Sequence, residues 1–257
     1  MNRRKFLDRA ATTGVVAAAG LAGAEPAKPV IYELRYFRMR NGNQVARTTE
    51  FLGKHYGPAA ERAGAGPMGF FGQLISDQGP FILSLTSFPS MGAVESVQEK
   101  MFRDETYLKA LDDYNKEPGY MRMENSLLRA FAGSPAITIP KPPEKGSHIF
   151  ELRTYESSNG AAGRRKIKMF DDAEAGIFRR LGMQPVFFGQ TIVGRNLPNL
   201  TYMLTFDDLA ARDRLFAAFG ADAEWKKLRA QPELADALIV SNISNTILRP
   251  LPFSAIR

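Results

Sequence analysis

The strand-like run Ile149-Phe150-Glu151-Leu152-Arg153-Thr154-Tyr155 has an earlier twin. Ile31-Tyr32-Glu33-Leu34-Arg35-Tyr36-Phe37 carries the same Glu-x-Arg pattern 118 positions upstream. The echo continues in order: Phe70-Phe71-Gly72-Gln73 returns as Phe187-Phe188-Gly189-Gln190 at an offset of 117, Leu85-Thr86 as Leu204-Thr205 at 119, and Leu128-Arg129 as Leu248-Arg249 at 120. Four matches at near-constant spacing are the mark of an internal repeat. The fold is thereby restricted to two copies of one unit.

Periodicity supplies the unit. Residues 30–37 alternate with the two-residue period of a strand, and residues 43–63 place Val45, Leu52, Tyr56 and Ala59 near helical spacing before Gly64. Residues 70–75 and 81–88 read as a hairpin, 90–115 as a helical region with Met91, Val94, Val97, Met101 and Leu108 as its apolar positions, and 126–131 as a closing strand. The order then restarts: strand 149–155, a helix ending at Gly182 with Ile167, Phe170, Ile177 and Phe178 inward, hairpin 186–193 with 200–206, a helix capped by Asp207 or Asp208, a short helix at 224–228, and strand 239–248. Each copy is β-α-β-β-α-β, the ferredoxin-like order.

The expected fold class is therefore α+β, with two tandem ferredoxin-like repeats, residues 25–139 and 148–257, joined by the proline-rich linker 140–147. Helices cover one face of each sheet, so the other face needs a second cover. Each sheet supplies the other's, which closes a pseudo-dimeric α+β barrel. In that arrangement Phe150 and Leu152 are expected to face the helices, and Ile149, Glu151, Arg153 and Tyr155 the space between the sheets.

The N-terminus is of another kind. Arg3 and Arg4 precede a weakly apolar Ala/Gly/Val run, and Ala22-Gly23-Ala24 fits the small-x-small cleavage rule, so residues 1–24 resemble a twin-arginine export signal. The run is too short and too rich in Ala and Gly for stable membrane insertion, and the mature chain is expected in the periplasm or outside the cell. Cleavage would remove four of 34 basic residues and one of 27 acidic ones, taking the net charge from +7 to +4. No nucleic-acid partner is expected, because the remaining basic run Arg164-Arg165-Lys166 with Lys168 reads as the solvated face of a helix. With no cysteine there are no disulfides, thiolate nucleophiles or Cys-held metals.

The second copy also carries a family pattern. Gly182-Met183-Gln184-Pro185-Val186-Phe187-Phe188-Gly189, Pro198-Asn199-Leu200-Thr201-Tyr202-Met203-Leu204, Glu224-Trp225-Lys226-Lys227-Leu228, and Ser241-Asn242-Ile243-Ser244-Asn245 through Ile247-Leu248-Arg249-Pro250 resemble the second domain of NIPSNAP proteins. The resemblance implies tandem ferredoxin-like domains and no established enzymatic activity. It points to an exported barrel that binds a small molecule or a protein partner, with a homo-oligomer as a further outcome. The alternative is a cofactor-independent oxygenase or isomerase-like enzyme, or a haem-dependent enzyme, of the dimeric α+β barrel class.

The candidate ligand-binding residues are Glu33, Arg35, Glu151 and Arg153, with Tyr155, Phe188 and Tyr202 shaping the same pocket. Charges facing a barrel interior are costly unless paired, so the pairs serve either a ligand or the docking of the two copies. No cofactor and no metal is expected: His55 and His148 are the only histidines and read as surface or capping groups, with haem ligation as the alternative. Gly64-Ala65-Gly66-Pro67-Met68-Gly69 matches G-x-G-x-x-G but leads from a helix into a strand, the wrong context for a dinucleotide loop. Trp225, matched by Tyr107 in the first copy, reads as a packing anchor between repeats or subunits.

Overall fold

The computed structural model describes residues 28–143 and 146–257. Residues 1–27, which include Arg3, Arg4 and the stretch expected to be an export signal, lie outside the described residues, as do two positions of the proline-rich linker. The first half runs β1 (Ile31–Arg38), α1 (Asn43–Phe51), a π-helical turn (Leu52–Tyr56), α2 (Gly57–Ala63), β2 (Met68–Ile75), β3 (Phe81–Phe88), α3 (Met91–Met101), α4 (Glu105–Tyr114) and β4 (Arg122–Ala130). The second runs β5 (Ile149–Glu156), α5 (Gly160–Met169), a second π-helical turn (Phe170–Glu174), α6 (Ala175–Arg180), β6 (Gln184–Val193), β7 (Asn199–Phe206), α7 (Leu209–Ala221), α8 (Ala223–Arg229), a 3-10 turn (Pro232–Leu234), α9 (Asp236–Ile239) and β8 (Asn242–Pro250).

Among the described residues, eight strands pair antiparallel into one closed barrel in the order β1-β3-β2-β8-β5-β7-β6-β4. Two seams, β2–β8 and β4–β6, join the halves. Each seam is bulged at the same repeat position, between Gln73 and Ile75 and between Leu127 and Leu128. The skipped residues exchange partners: Leu74 packs on the helix layer of the second half and Ile192 on that of the first.

Alternation along each strand divides the apolar residues into layers. Ile31, Phe37, Phe70 and Ile82 meet the first half's helices, while Ile149, Tyr155, Phe188 and Tyr202 meet the second's. The barrel interior is shared, with Tyr32, Leu34, Leu85, Phe150, Leu152 and Phe187 among its core residues. Because both faces are covered, β3 and β7 are buried along their whole length. The facing expected for β5 is thus reversed: Phe150 and Leu152 fill the barrel, and Ile149, Glu151, Arg153 and Tyr155 lie under the helices. A two-residue period separates two faces but does not label them when both are buried.

Several local expectations are also corrected. The helical region after β3 is two helices, because Asp104 caps a new one at Tyr107 N, and Met91 is exposed. Ile239 ends the short helix α9 rather than opening the last strand. Lys166 lies on the buried face of α5 with Ala162 and Met169, only 1% exposed, so the basic run is not wholly solvated. His148 is buried, with its Nε2 3.4 Å from Asp207. Trp225 and Tyr107 each anchor the helix layer of their own half, against Phe219 and Phe51.

Helix ends follow the sequence closely. Asn159 and Asp208 accept hydrogen bonds from the first-turn amides of α5 and α7. Gly64 and Gly182, 118 apart, take φ of +105° and +85° where their helices end, a conformation that favours glycine. Among the described residues, no helix is long and apolar enough to cross a membrane.

Candidate functional site

The two Glu-Arg pairs lie in equivalent places under the helices, and each includes a third residue. In the first half Glu33 Oε1 accepts from Arg35 Nη2 at 2.8 Å and Asn125 Nδ2 at 2.9 Å. In the second Glu151 Oε1 accepts from Arg153 Nη1 at 2.6 Å and Asn245 Nδ2 at 2.9 Å. The asparagines stand opposite the arginines in the β1–β4 and β5–β8 registers. Their offset of 120 equals that of Leu128-Arg129 and Leu248-Arg249, so the repeat could have revealed them.

From there the halves diverge. Glu151 also takes two hydrogen bonds from Arg212 of α7, at 2.7 and 2.9 Å. The same place on α3, counted from the capping residues Ser90 and Asp208, holds Val94. Burial alone would raise the Glu151 carboxyl, but Arg212, Arg153 and Asn245 together hold it below the ordinary carboxylate range. Arg153 continues the network to Tyr155 Oη at 3.2 Å, which accepts from Tyr202 Oη at 3.0 Å. Phe188 stacks on Tyr202 with ring centres 5.5 Å apart. Burial drives the Tyr202 phenol well above its ordinary value.

The fold thus brings the second-half candidates, Glu151, Arg153, Tyr155, Phe188 and Tyr202, into one packed network. Glu33 and Arg35 form a separate cluster in the other helix layer. Beside the second network lies an ion pair that sequence reasoning missed: Lys166 Nζ donates to Glu174 Oε2 at 2.9 Å with both side chains at most 2% exposed. The ammonium sits 4.9 Å from the centre of Phe170, 5.4 Å from Tyr155 and 5.7 Å from Trp225. Burial pushes the Glu174 carboxyl up against the pull of Lys166. The first half has Thr48 and Tyr56 at these positions, and Ser84 in place of Tyr202. Among the described residues, the buried hydroxyl of Ser84 has no hydrogen-bond partner.

A cavity of about 510 Å³ opens elsewhere, at one end of the barrel. The opposite end is filled by Tyr32, Phe71, Phe150 and Phe187, with Ile256 folded back into the core. The open end is polar because the inward positions change character along each strand. β1 goes from Tyr32 and Leu34 to Tyr36 and Arg38, β5 from Phe150 and Leu152 to Thr154 and Glu156, and β8 from Leu248 to Thr246, Ser244 and Asn242. Larger depressions, of about 770 Å³ near His55 and about 610 Å³ near Arg40, are more open to solvent. His55 itself is exposed on the outer helix layer.

Charge at the mouth is tied down. Glu124 meets Arg122 at 2.7 Å, Arg38 at 3.2 Å and Arg195 at 3.5 Å. Burial would raise its carboxyl, but these guanidinium groups hold it below the ordinary range. Glu156 accepts from Asn242 at 2.9 Å and Asn196 at 3.1 Å.

Comparison with known proteins bears on the fold and on the second half. A monooxygenase, assigned only provisionally, from Lactobacillus acidophilus NCFM is similar with a TM-score of 0.56 at 13% identity, over 87% of this chain and 94% of that one. Its counterpart from Fusobacterium nucleatum gives 0.54 at 9% identity, over 87% and 93%. These likenesses show a shared α+β barrel fold. A NIPSNAP family protein of unknown function from Agrobacterium tumefaciens C58 is 24% identical over 46% of this chain and 100% of its own, with a TM-score of 0.39. No curated protein matches the sequence. The NIPSNAP family model matches residues 150–255, and the second half of the chain carries a NIPSNAP family domain.

Proposed function

We propose that the chain is a small-molecule-binding α+β barrel, built as two tandem ferredoxin-like repeats, whose ligand enters the open end of the barrel. The observation that carries this reading is the 510 Å³ cavity: its size lies within the usual range for ligand sites, and its wall is polar where the rest of the interior is apolar. The Glu-Arg-Asn clusters then act as braces. Each ties the first strand of its half to the last, and Arg212 adds a helix to the second. The Arg3-Arg4 pair supports an exported location for the mature chain. No reaction is proposed, since a likeness at 13% identity transfers a fold and not an activity.

The test is native mass spectrometry of the chain after incubation with a small-molecule extract of cells that make it. Ser244 lines the mouth and is exposed, so Ser244→Trp obstructs the cavity without disturbing the core. The wild type should carry an added mass and the variant should not. Equal adducts on both, or none on the wild type, would remove the mouth from consideration.

A further inference from the structure

The two walls of the barrel mouth descend from the same repeat positions yet differ in chemistry. In the first half these positions hold Tyr36, Phe81 and Leu83; in the second they hold Thr154, Asn199 and Thr201, as the β1–β3 and β5–β7 registers show. On the first side Tyr36 reaches the cavity and the buried Phe81 backs it edge to face at 5.1 Å, while the Arg38 guanidinium lies 4.5 Å from the centre of Tyr36. The second is a lattice of hydroxyls and carboxamides. Asn199 Oδ1 accepts from Thr191 at 2.6 Å, its Nδ2 donates to the Arg195 and Asn196 carbonyls, and Thr154 and Thr201 share a hydrogen bond of 2.9 Å.

Between the walls stand hydroxyls not used by the protein. Among the described residues, Ser126, Ser244 and Thr246 line the cavity and make no side-chain hydrogen bond. Each hydroxyl can donate one hydrogen bond and accept two. Tyr36 adds a fourth hydroxyl, and burial pushes its phenol up to about 12, so it stays a neutral donor and acceptor at physiological pH. Of the charged groups that line the cavity, Arg38 and Arg195 face Glu124, Glu156 and Asp77, and Arg122, outside the lining, pairs with Glu124, so three guanidiniums offset three carboxylates. A carboxylate or phosphate would have to compete with Glu124 for its guanidiniums, and an alkyl chain would leave the hydroxyls unpaired.

From these features we infer that the mouth takes a neutral, polyhydroxylated ring, of the chemical class of a sugar or cyclitol. The inference rests on the proposal that the mouth is the ligand compartment, and it adds the ligand's chemistry. The ring's hydroxyls meet Ser126, Ser244 and Thr246, and its less polar face meets the Tyr36 side.

Methyl β-D-glucopyranoside, myo-inositol, glucose 6-phosphate and hexanoate, titrated separately into the chain, test it through NMR shifts of the threonine methyls and isothermal calorimetry. The neutral polyols should perturb the Thr154, Thr201 and Thr246 methyls and bind at least about tenfold more tightly than the two anions. Thr246→Val and Ser126→Ala remove open hydroxyls without breaking a protein hydrogen bond, so both should melt as the wild type does. Each should weaken polyol binding about threefold to tenfold, the range of one neutral hydrogen bond. Tighter binding of either anion overturns the assignment and leaves the mouth as the compartment. So does the absence of any polyol shift when Ser244→Trp still abolishes the native adduct. If the adduct survives Ser244→Trp and no probe moves a mouth signal, both readings fall.

Discussion

Replacing Lys166 with Met converts a buried ion pair into a buried lone carboxylate, and the structure sets the size of the effect. Lys166 and Glu174 are 1% and 2% exposed and 2.9 Å apart, and breaking such a pair typically costs about 3–5 kcal/mol. Glu174 has a way to limit the damage, because it can take up a proton. Holding a carboxyl protonated at pH 7 against an unfolded value of about 4.3 costs about 3.7 kcal/mol, at 1.36 kcal/mol per unit. Loss of the cation over Phe170, Tyr155 and Trp225 adds about 1 kcal/mol. The variant should therefore be about 4–5 kcal/mol less stable in urea unfolding at pH 7.

The pH dependence is the sharper readout. In the variant the folded Glu174 binds its proton above the unfolded value, so stability falls as pH rises through that window and returns on acidification. Between pH 7 and 5 up to about 2.7 kcal/mol should be recovered relative to the wild type, less whatever the raised wild-type carboxyl already regains. Glu174→Met on the Lys166→Met background removes both charges, and should restore most of the stability and abolish the recovery. A single variant with a flat difference from the wild type across that range, or a double variant no better than the single, would falsify the assignment of a paired, desolvated carboxylate.

Two other substitutions follow from the same layer. Arg212→Met leaves Glu151 with Arg153 and Asn245, and should cost about 1.5–3 kcal/mol at neutral pH. Because the folded Glu151 carboxyl lies below its unfolded value, its contribution is present above about pH 4.3 and fades as pH falls through the folded value; the variant should begin acid unfolding at higher pH, as followed by circular dichroism. Ser84→Ala removes a buried hydroxyl that has no partner, so thermal melting should show no loss or a gain of up to about 1 kcal/mol, and a loss above about 2 kcal/mol would reveal a bound water or ligand at that hydroxyl.

The repeat made the element order and the closing of sheet on sheet legible, because Glu-x-Arg and Leu-Arg recur in register, while Phe-Phe-Gly-Gln recurs one residue out of register, with Phe70 equivalent to Phe188. It left the polarity of the faces open: Phe150 and Glu151 alternate equally well whichever layer is inside, and both layers are buried. Lys166 was misread by composition, since three adjacent basic residues suggest a wet face, although its spacing from Ala162 and Phe170 places it on the apolar stripe. Asn125 and Asn245 were within reach of the offset of 120. Arg212 was not, because its counterpart Val94 carries no trace of a charge and only the packing of α7 on β5 brings it to Glu151. The mouth was hidden for a related reason: its wall is assembled from the ends of several strands, each contributing one or two inward residues.

The unlike walls of the mouth have a stoichiometric consequence. Two identical chains docked about a two-fold axis must offer every group twice, so a ligand on that axis meets the same surroundings in either of two orientations. Here the covalent fusion lifts that constraint, and Asn199 stands where symmetry would demand a second Phe81. One barrel can therefore receive one ligand in one orientation, with its two faces told apart.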